Sequence, residues 1–156
     1  MNSETRKNPA LFAIFAGGGI AGSLDITYAI LISAFRGTPP MRLLQSVATG
    51  LLGPGAYEGG ASTAVLGFVL HFLIAFMMAA AFYLISRRFD FLVRRPVVSG
   101  LIYGAILYPF MTQVVLPLSA YPHPFVFRPL FFAINLFVHM FLVGLPIALA
   151  TKKASG

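Results

Sequence analysis

Four long runs of apolar residues divide the chain, and short polar segments separate them. The runs cover residues 10–35, 61–85, 96–118 and 129–150. The hydrocarbon core of a bilayer is about 30 Å thick and is crossed by roughly 20 helical residues, so each run is long enough to span it. The pattern predicts an all-α integral membrane protein in which residues 1–156 form a single domain, a bundle of four transmembrane helices.

The composition agrees with this class of protein. Hydrophobic residues make up 58% of the chain and charged residues only 10%, whereas soluble domains carry about 25% charged residues. There is no cysteine, which excludes disulfides, thiol catalysis and thiolate metal sites. The net charge of +7 does not indicate nucleic-acid binding, because the basic residues cluster at the ends of the apolar runs, where they encode membrane topology.

The distribution of Lys and Arg between the loops predicts the orientation of the chain. Eight of the 11 basic residues precede the first run, follow the second or follow the fourth. They are Arg6, Lys7, Arg87, Arg88, Arg94, Arg95, Lys152 and Lys153. The other side holds only Arg36, Arg42 and Arg128. By the positive-inside rule, both termini are expected in the cytoplasm, with residues 36–60 and 119–128 on the opposite side.

The first outer loop contains a segment that is itself helical in pattern. Residues 40–52 read PMRLLQSVATGLL and begin with a proline, which suits the first turn of a helix. The apolar face of such a helix consists of Leu43, Leu44, Val47 and Leu51. We therefore expect a short interfacial or partly re-entrant helix in this loop.

One polar side chain in each apolar run falls at a similar depth. Counted at 1.5 Å per residue, Asp25, His71 and His139 each lie roughly 15 Å from the outer end of their helix. Tyr108 lies at the corresponding position of the third run, and Asn135 is one turn from His139. The sequence therefore predicts a buried polar cluster of these five residues near the bilayer midplane.

Small residues share helix faces with three of these polar side chains. They are Gly18, Ala21 and Gly22 beside Asp25, Gly67 and Ala75 beside His71, and Gly100 and Gly104 beside Tyr108. Because such faces let membrane helices approach closely, the polar residues are expected to point into the bundle. A charge at the bilayer centre costs roughly 2.5–3.5 kcal/mol, so Asp25 is expected to be neutral or paired with His71 or His139.

Four segments of the chain resemble a family of small four-helix membrane proteins of bacteria. The segments are GGGIAGSLDITYA, GGASTAVLGFVLHFLIAF, YGAILYPFMTQVVLPLSA and HMFLVGLPIALA, and the resemblance extends over residues 17–153. It implies a multi-pass protein of the bacterial inner (cytoplasmic) membrane. The family is uncharacterised, so the resemblance implies no activity, cofactor or site residue.

Several functions are compatible with the polar cluster. One hypothesis is that the cluster is a structural network whose hydrogen bonds are worth roughly 0.6 kcal/mol each. Another is that it is a site for proton-coupled or small-solute transport. In the transport hypothesis, Pro109 kinks the third helix and opens a cavity beside Tyr108. Alternatively, His71 and His139 bind a haem iron between the helices. In a further alternative, the two histidines and Asp25 bind a divalent metal ion.

An accessory membrane subunit and a lipid-directed enzyme form the remaining class. No catalytic residue is predicted, because no nucleophile can be matched in the sequence with a base and an orienting group. An enzyme is therefore not favoured. The expected partner is the lipid bilayer, and assembly as a homo-oligomer or within a larger membrane complex stays open.

Overall fold

A computed structural model describes residues 8–123 and 126–155, and the regular structure in that part of the chain is entirely helical. Four of the helices described are long and apolar enough to cross a membrane. They are α1 (Pro9–Phe35), α3 (Gly60–Ser86), α5 (Pro96–Leu118) and α6 (Pro129–Ser155). The prediction of an all-helical fold with four such helices is confirmed. Arg6 and Lys7, which entered the prediction of orientation, lie outside the described residues.

Shorter helices occupy the connections. Helix α2 (Pro40–Leu52) lies between α1 and α3 and runs into a 3₁₀ turn at Gly53–Glu58. Helix α4 (Phe91–Arg94) is a single turn before α5. A helix is thus present over the segment for which the sequence predicted one. Proline is the first residue of α1, α2, α5 and α6, where its missing N–H leaves no helix hydrogen bond unmade.

Glycines bring the backbone of α1 close to both of its neighbours. A Cβ atom added to Gly18 would lie 2.9 Å from the Cα of Phe76 in α3. One added to Gly17 would lie 3.3 Å from the Cα of Ile147 in α6. Helix α1 is therefore held between α3 and α6, and both contacts depend on the absence of a side chain at these positions.

Glycines also let the backbones of α5 and α6 approach closely. A Cβ atom added to Gly100 would lie 2.8 Å from the carbonyl oxygen of Gly144. One added to Gly104 would lie 2.6 Å from the Cα of Met140, next to the carbonyl group of His139. The four long helices thus follow the spatial order α3, α1, α6, α5. The small-residue faces of α1 and α5 lie at the crossings of these helices, whereas Gly67 of α3 packs against the backbone of α2 at Leu44.

Helices α3 and α5 meet at one end of the bundle. The hydroxyl of Tyr103 donates a hydrogen bond of 2.8 Å to the carbonyl oxygen of Met78, and the Tyr103 ring lies 5.0 Å from that of Phe82. Phe82 and Ile147 are among the largest fully buried side chains of the core. This end is therefore closed by packed side chains, and any space between α3 and α5 lies toward α2.

Helix α2 packs on α3 with its small and polar side chains inward. Gln45 and Thr49 are 2% and 0% exposed, whereas Leu51 and Leu52 are 61% and 49% exposed. The Gln45 amide donates to the carbonyl oxygen of Gly60 at 3.0 Å. The helix thus has a polar side facing protein and a leucine side facing outward, the reverse of a helix at the surface of a soluble protein.

Glycine-to-alanine substitutions test the close packing. Gly104→Ala should lower the stability of the fold by about 1–3 kcal/mol, the usual cost of overpacking, because the new methyl group would meet the backbone of α6. The matched control is Gly19→Ala, whose Cβ would have its nearest neighbour at 4.0 Å and which should be neutral or stabilising by roughly 0.5–1 kcal/mol. Thermal unfolding in detergent measures both, and equal effects would contradict the packing described.

Candidate functional site

A cavity of about 490 Å³ lies between the long helices on the side where α2 packs. All four long helices and α2 contribute to its wall, which is mainly apolar. Leu70 and Ile74 of α3 face Val115 of α5 across it, and Met78 and Val143 lie toward the closed end of the bundle. The cavity therefore occupies the space that the α3–α5 contact at Tyr103 leaves open.

The structure brings three of the five predicted polar residues to this cavity. Asp25 from α1, His71 from α3 and His139 from α6 all line it, whereas Tyr108 and Asn135 do not. Each of the five is partly exposed rather than fully buried. The predicted cluster is thus divided into three side chains at the cavity and two that lie behind His139.

His71 is held by the backbone of the neighbouring helix. Its Nε2 atom lies 2.9 Å from the carbonyl oxygen of Gly22 in α1. A carbonyl oxygen can only accept a hydrogen bond, so Nε2 carries the proton and donates it. In the neutral ring, Nδ1 is then the unprotonated nitrogen.

His139 is held in the opposite tautomer by its own helix. Its Nδ1 atom lies 2.9 Å from the carbonyl oxygen of Asn135, one turn earlier, and donates to it for the same reason. The Nε2 atom of the neutral ring is therefore unprotonated. The ring of Tyr108 lies 4.9 Å from that of His139 and 5.2 Å from that of Phe132, so Tyr108 supports the imidazole from behind.

Asn135 links α6 to α1 rather than lining the cavity. Its side-chain amide donates to the carbonyl oxygen of Phe131 at 2.7 Å, and its side-chain oxygen accepts from the hydroxyl of Tyr28 at 3.4 Å. These bonds satisfy the amide within the protein. Asn135 and Tyr108 are therefore positioning residues of the α1–α5–α6 contact.

Asp25 makes no hydrogen bond or ion pair with another side chain within residues 8–123 and 126–155. The expected Asp25–His71 or Asp25–His139 pair is not formed, because each histidine uses its N–H to reach a backbone carbonyl instead. Asp25 shares the cavity wall with both histidines.

Widened π-helical turns shape the wall on α5 and α6. They cover Met111–Val115 and His139–Gly144, and two residues after each comes a proline, Pro117 or Pro146. A proline ring clashes with the carbonyl four residues earlier and lacks the N–H to bond it, and a π turn relieves both conflicts. Pro109, expected to open a cavity beside Tyr108, lies in regular helix.

Helix α2 and the segment that follows α5 contribute cavity residues that the sequence did not predict. Ser46 of α2, Ser119 at the end of α5 and Tyr121 line the cavity. Burial raises the pKa of the Tyr121 phenol, and the nearby Tyr57 acts in the same direction, so this hydroxyl is protonated at neutral pH. Ser46 lies on the inward side of α2. The hydrophobic pattern alone does not show whether this polar side packs against protein or faces solvent.

The predicted metal and haem sites differ in how well the geometry fits them. Among the described residues, no group of three or more His, Cys, Asp or Glu side chains could hold a metal ion. The arrangement therefore does not favour Asp25, His71 and His139 as metal ligands. A haem site with His71 and His139 as ligands stays a prediction. Donation of the other ring N–H to a carbonyl is typical of ligating histidines.

No protein-family model, curated protein or solved structure matches this chain. The chemistry of the cavity is therefore the basis for a proposal about function.

The two histidine tautomers are directly measurable. In protein labelled with ¹⁵N-histidine, long-range ¹H–¹⁵N correlation spectra should give the Nε2–H tautomer for His71 and the Nδ1–H tautomer for His139. Spectra of His71→Gln and His139→Gln assign the signals. The reverse tautomer at either ring would mean that its hydrogen bond to the backbone carbonyl does not form.

Proposed function

We propose that this chain is a multi-pass protein of the bacterial inner (cytoplasmic) membrane, spanned by α1, α3, α5 and α6, with both termini cytoplasmic. The length and apolar character of these helices support insertion. The eight-to-three distribution of basic residues supports the orientation. The resemblance to bacterial membrane proteins supports the location.

In this proposal, α2 is partly embedded at the outer side of the bundle. Its outward side, which includes Leu52, is exposed and meets lipid. Its polar side is satisfied by protein, as in the bond from Gln45 to the Gly60 carbonyl. Lipid contact accounts for the outward leucines, since a helix in the interfacial region buries its apolar face among acyl chains.

Within the membrane, the chain binds a small, largely apolar molecule in the cavity between α3 and α5. The observation that carries this proposal is that Asp25, His71 and His139, from three different helices, line one cavity of about 490 Å³. Small-molecule sites are typically clefts of about 300–1,000 Å³ with apolar walls and a few convergent polar groups. Ionisable residues inside a membrane mark functional sites by default.

The orientation can be tested with single cysteines, because the natural chain has none. Gly55→Cys lies in the outer 3₁₀ turn, where an added Cβ meets nothing within 4 Å, and Ser155→Cys lies in the last turn of α6. In bacterial spheroplasts, a membrane-impermeant maleimide should label Gly55→Cys at once and Ser155→Cys only after the membrane is opened. The reverse pattern would overturn the proposed orientation.

Binding in the cavity can be tested with phenethyl alcohol, a neutral aromatic probe. Equilibrium dialysis against the protein in zwitterionic nanodiscs, corrected with empty nanodiscs, should give saturable binding. Val47→Phe places a larger side chain in the cavity wall and should abolish it. Leu52→Phe, on the outward side of the same helix, should retain it. No saturable binding to the folded wild-type protein, or equal binding by both variants, would contradict the proposal.

A further inference from the structure

Most polar side chains of the cavity wall already donate their hydrogens in hydrogen bonds within the protein. Four of them donate to backbone carbonyl oxygens. His71 donates to Gly22 and His139 to Asn135, both at 2.9 Å, while Ser46 donates to Leu43 at 2.6 Å and Ser119 to Leu116 at 2.7 Å. What these groups can offer to the cavity is therefore lone pairs, although the Ser119 hydroxyl also accepts a hydrogen bond of 3.2 Å from the backbone N–H of Tyr121.

The number of hydrogens on each of these groups limits what it can still do in the cavity. A neutral imidazole has one donor and one acceptor nitrogen, and a hydroxyl has a single hydrogen. With those hydrogens committed, His71, His139, Ser46 and Ser119 can only accept. The carboxylate that Asp25 presents once it is ionised beside a cationic ligand is also an acceptor only. Tyr121, in the connection after α5, is the exception among the polar side chains described in the wall.

The protein also supplies Asp25 with no counter-charge. Within the described residues no basic side chain pairs with it, and two of the three arginines at this end of the bundle, Arg36 and Arg42, stack on aromatic rings instead. The Arg36 guanidinium lies 4.4 Å from the ring centre of Phe131, and that of Arg42 lies 4.0 Å from the ring centre of Tyr57. An ionised carboxylate in a membrane costs least when it is paired, and a cationic ligand in the cavity would supply that partner.

We propose that the ligand is an organic ammonium ion, a primary or secondary amine in its protonated form with an apolar body. This inference rests on the function proposed above and names its ligand class. The ammonium N–H groups donate to Asp25 and to the free nitrogens of His71 and His139. The apolar body packs against Leu70, Ile74 and the other hydrophobic residues of the wall.

Other ligand chemistries fit this wall less well. A carboxylate or phosphate ligand would set its oxygens against the lone pairs of the wall and the charge of Asp25. A bare metal ion would leave most of the roughly 490 Å³ unfilled, and the described residues contain no group of three or more ligands for one. An N–H-rich cation with an apolar body satisfies both the acceptors and the hydrophobic surface.

Matched probes test the ligand class in zwitterionic nanodiscs, which add no lipid charge. Phenethylammonium, phenethyl alcohol and 3-phenylpropionate share a ring and a short chain but carry a cation, a neutral hydroxyl and an anion. Wild-type protein should bind the ammonium at least about tenfold more tightly than the alcohol, as expected for hydrogen bonds to a charged group. It should bind the carboxylate most weakly.

Two variants at Asp25 test whether this residue causes the preference for the ammonium ion over the alcohol. Asp25→Asn should reduce the ammonium-to-alcohol ratio to near one while phenethyl alcohol still binds, which also shows that the variant is folded. Asp25→Glu retains the charge and should retain the preference.

Each contrary outcome overturns a defined part of the inference. If the alcohol binds as well as the ammonium and Val47→Phe abolishes both, the cavity is a binding site but the ammonium class is wrong. If the ammonium preference survives Asp25→Asn, the assignment to Asp25 is wrong. If no probe binds to folded protein, the proposed function fails together with the ligand class.

Discussion

The close approach of helix backbones at glycine residues is the constraint on which the rest of the structure depends. In the membrane that we propose for this chain, there is little hydrophobic force between helices, so packing and hydrogen bonds hold them together. The α1–α3 approach at Gly18 and Gly22 brings a backbone carbonyl within reach of His71. The α5–α6 approach at Gly104 brings α5 against the backbone of His139. The glycines that close the α1–α3 contact therefore also place the carbonyl group that orients the His71 imidazole, whereas the His139 imidazole is oriented by its own helix.

Proline has a complementary effect on the cavity wall. Pro117 and Pro146 each lie two residues beyond a π turn, and each turn contributes side chains to the cavity. A residue inserted into a helical turn rotates the side chains on either side relative to each other. The turn at His139 thus changes which face of α6 meets α5 and which meets the cavity. Glycine sets the distances between helices, and proline sets which side chains line the space that remains.

The sequence predicts the helices well, because their length and apolar character are local properties. Depth along each helix also predicts that Asp25, His71 and His139 lie at one level, and all three line the cavity. Their hydrogen-bond partners could not be predicted, because those partners are backbone carbonyls, which every residue has and which composition does not distinguish. The sequence also could not show which side of α2 packs against the rest of the protein. Its inward side carries Gln45 and Thr49, and only the presence of α3 shows that this polar side is buried.

The hydrogen bonds around the cavity also bear on whether the polar residues are merely structural. A structural network satisfies its members within the protein, as Asn135 does with Phe131 and Tyr28. The histidines satisfy one nitrogen in this way and leave the other for the cavity. Asp25 has no side-chain partner in the described part of the chain, although an unpaired carboxylate is costly in a membrane. Packing alone would be served better by an apolar residue at position 25, so the presence of a carboxyl group there, beside two oriented imidazoles, supports the proposed binding of a ligand in the cavity.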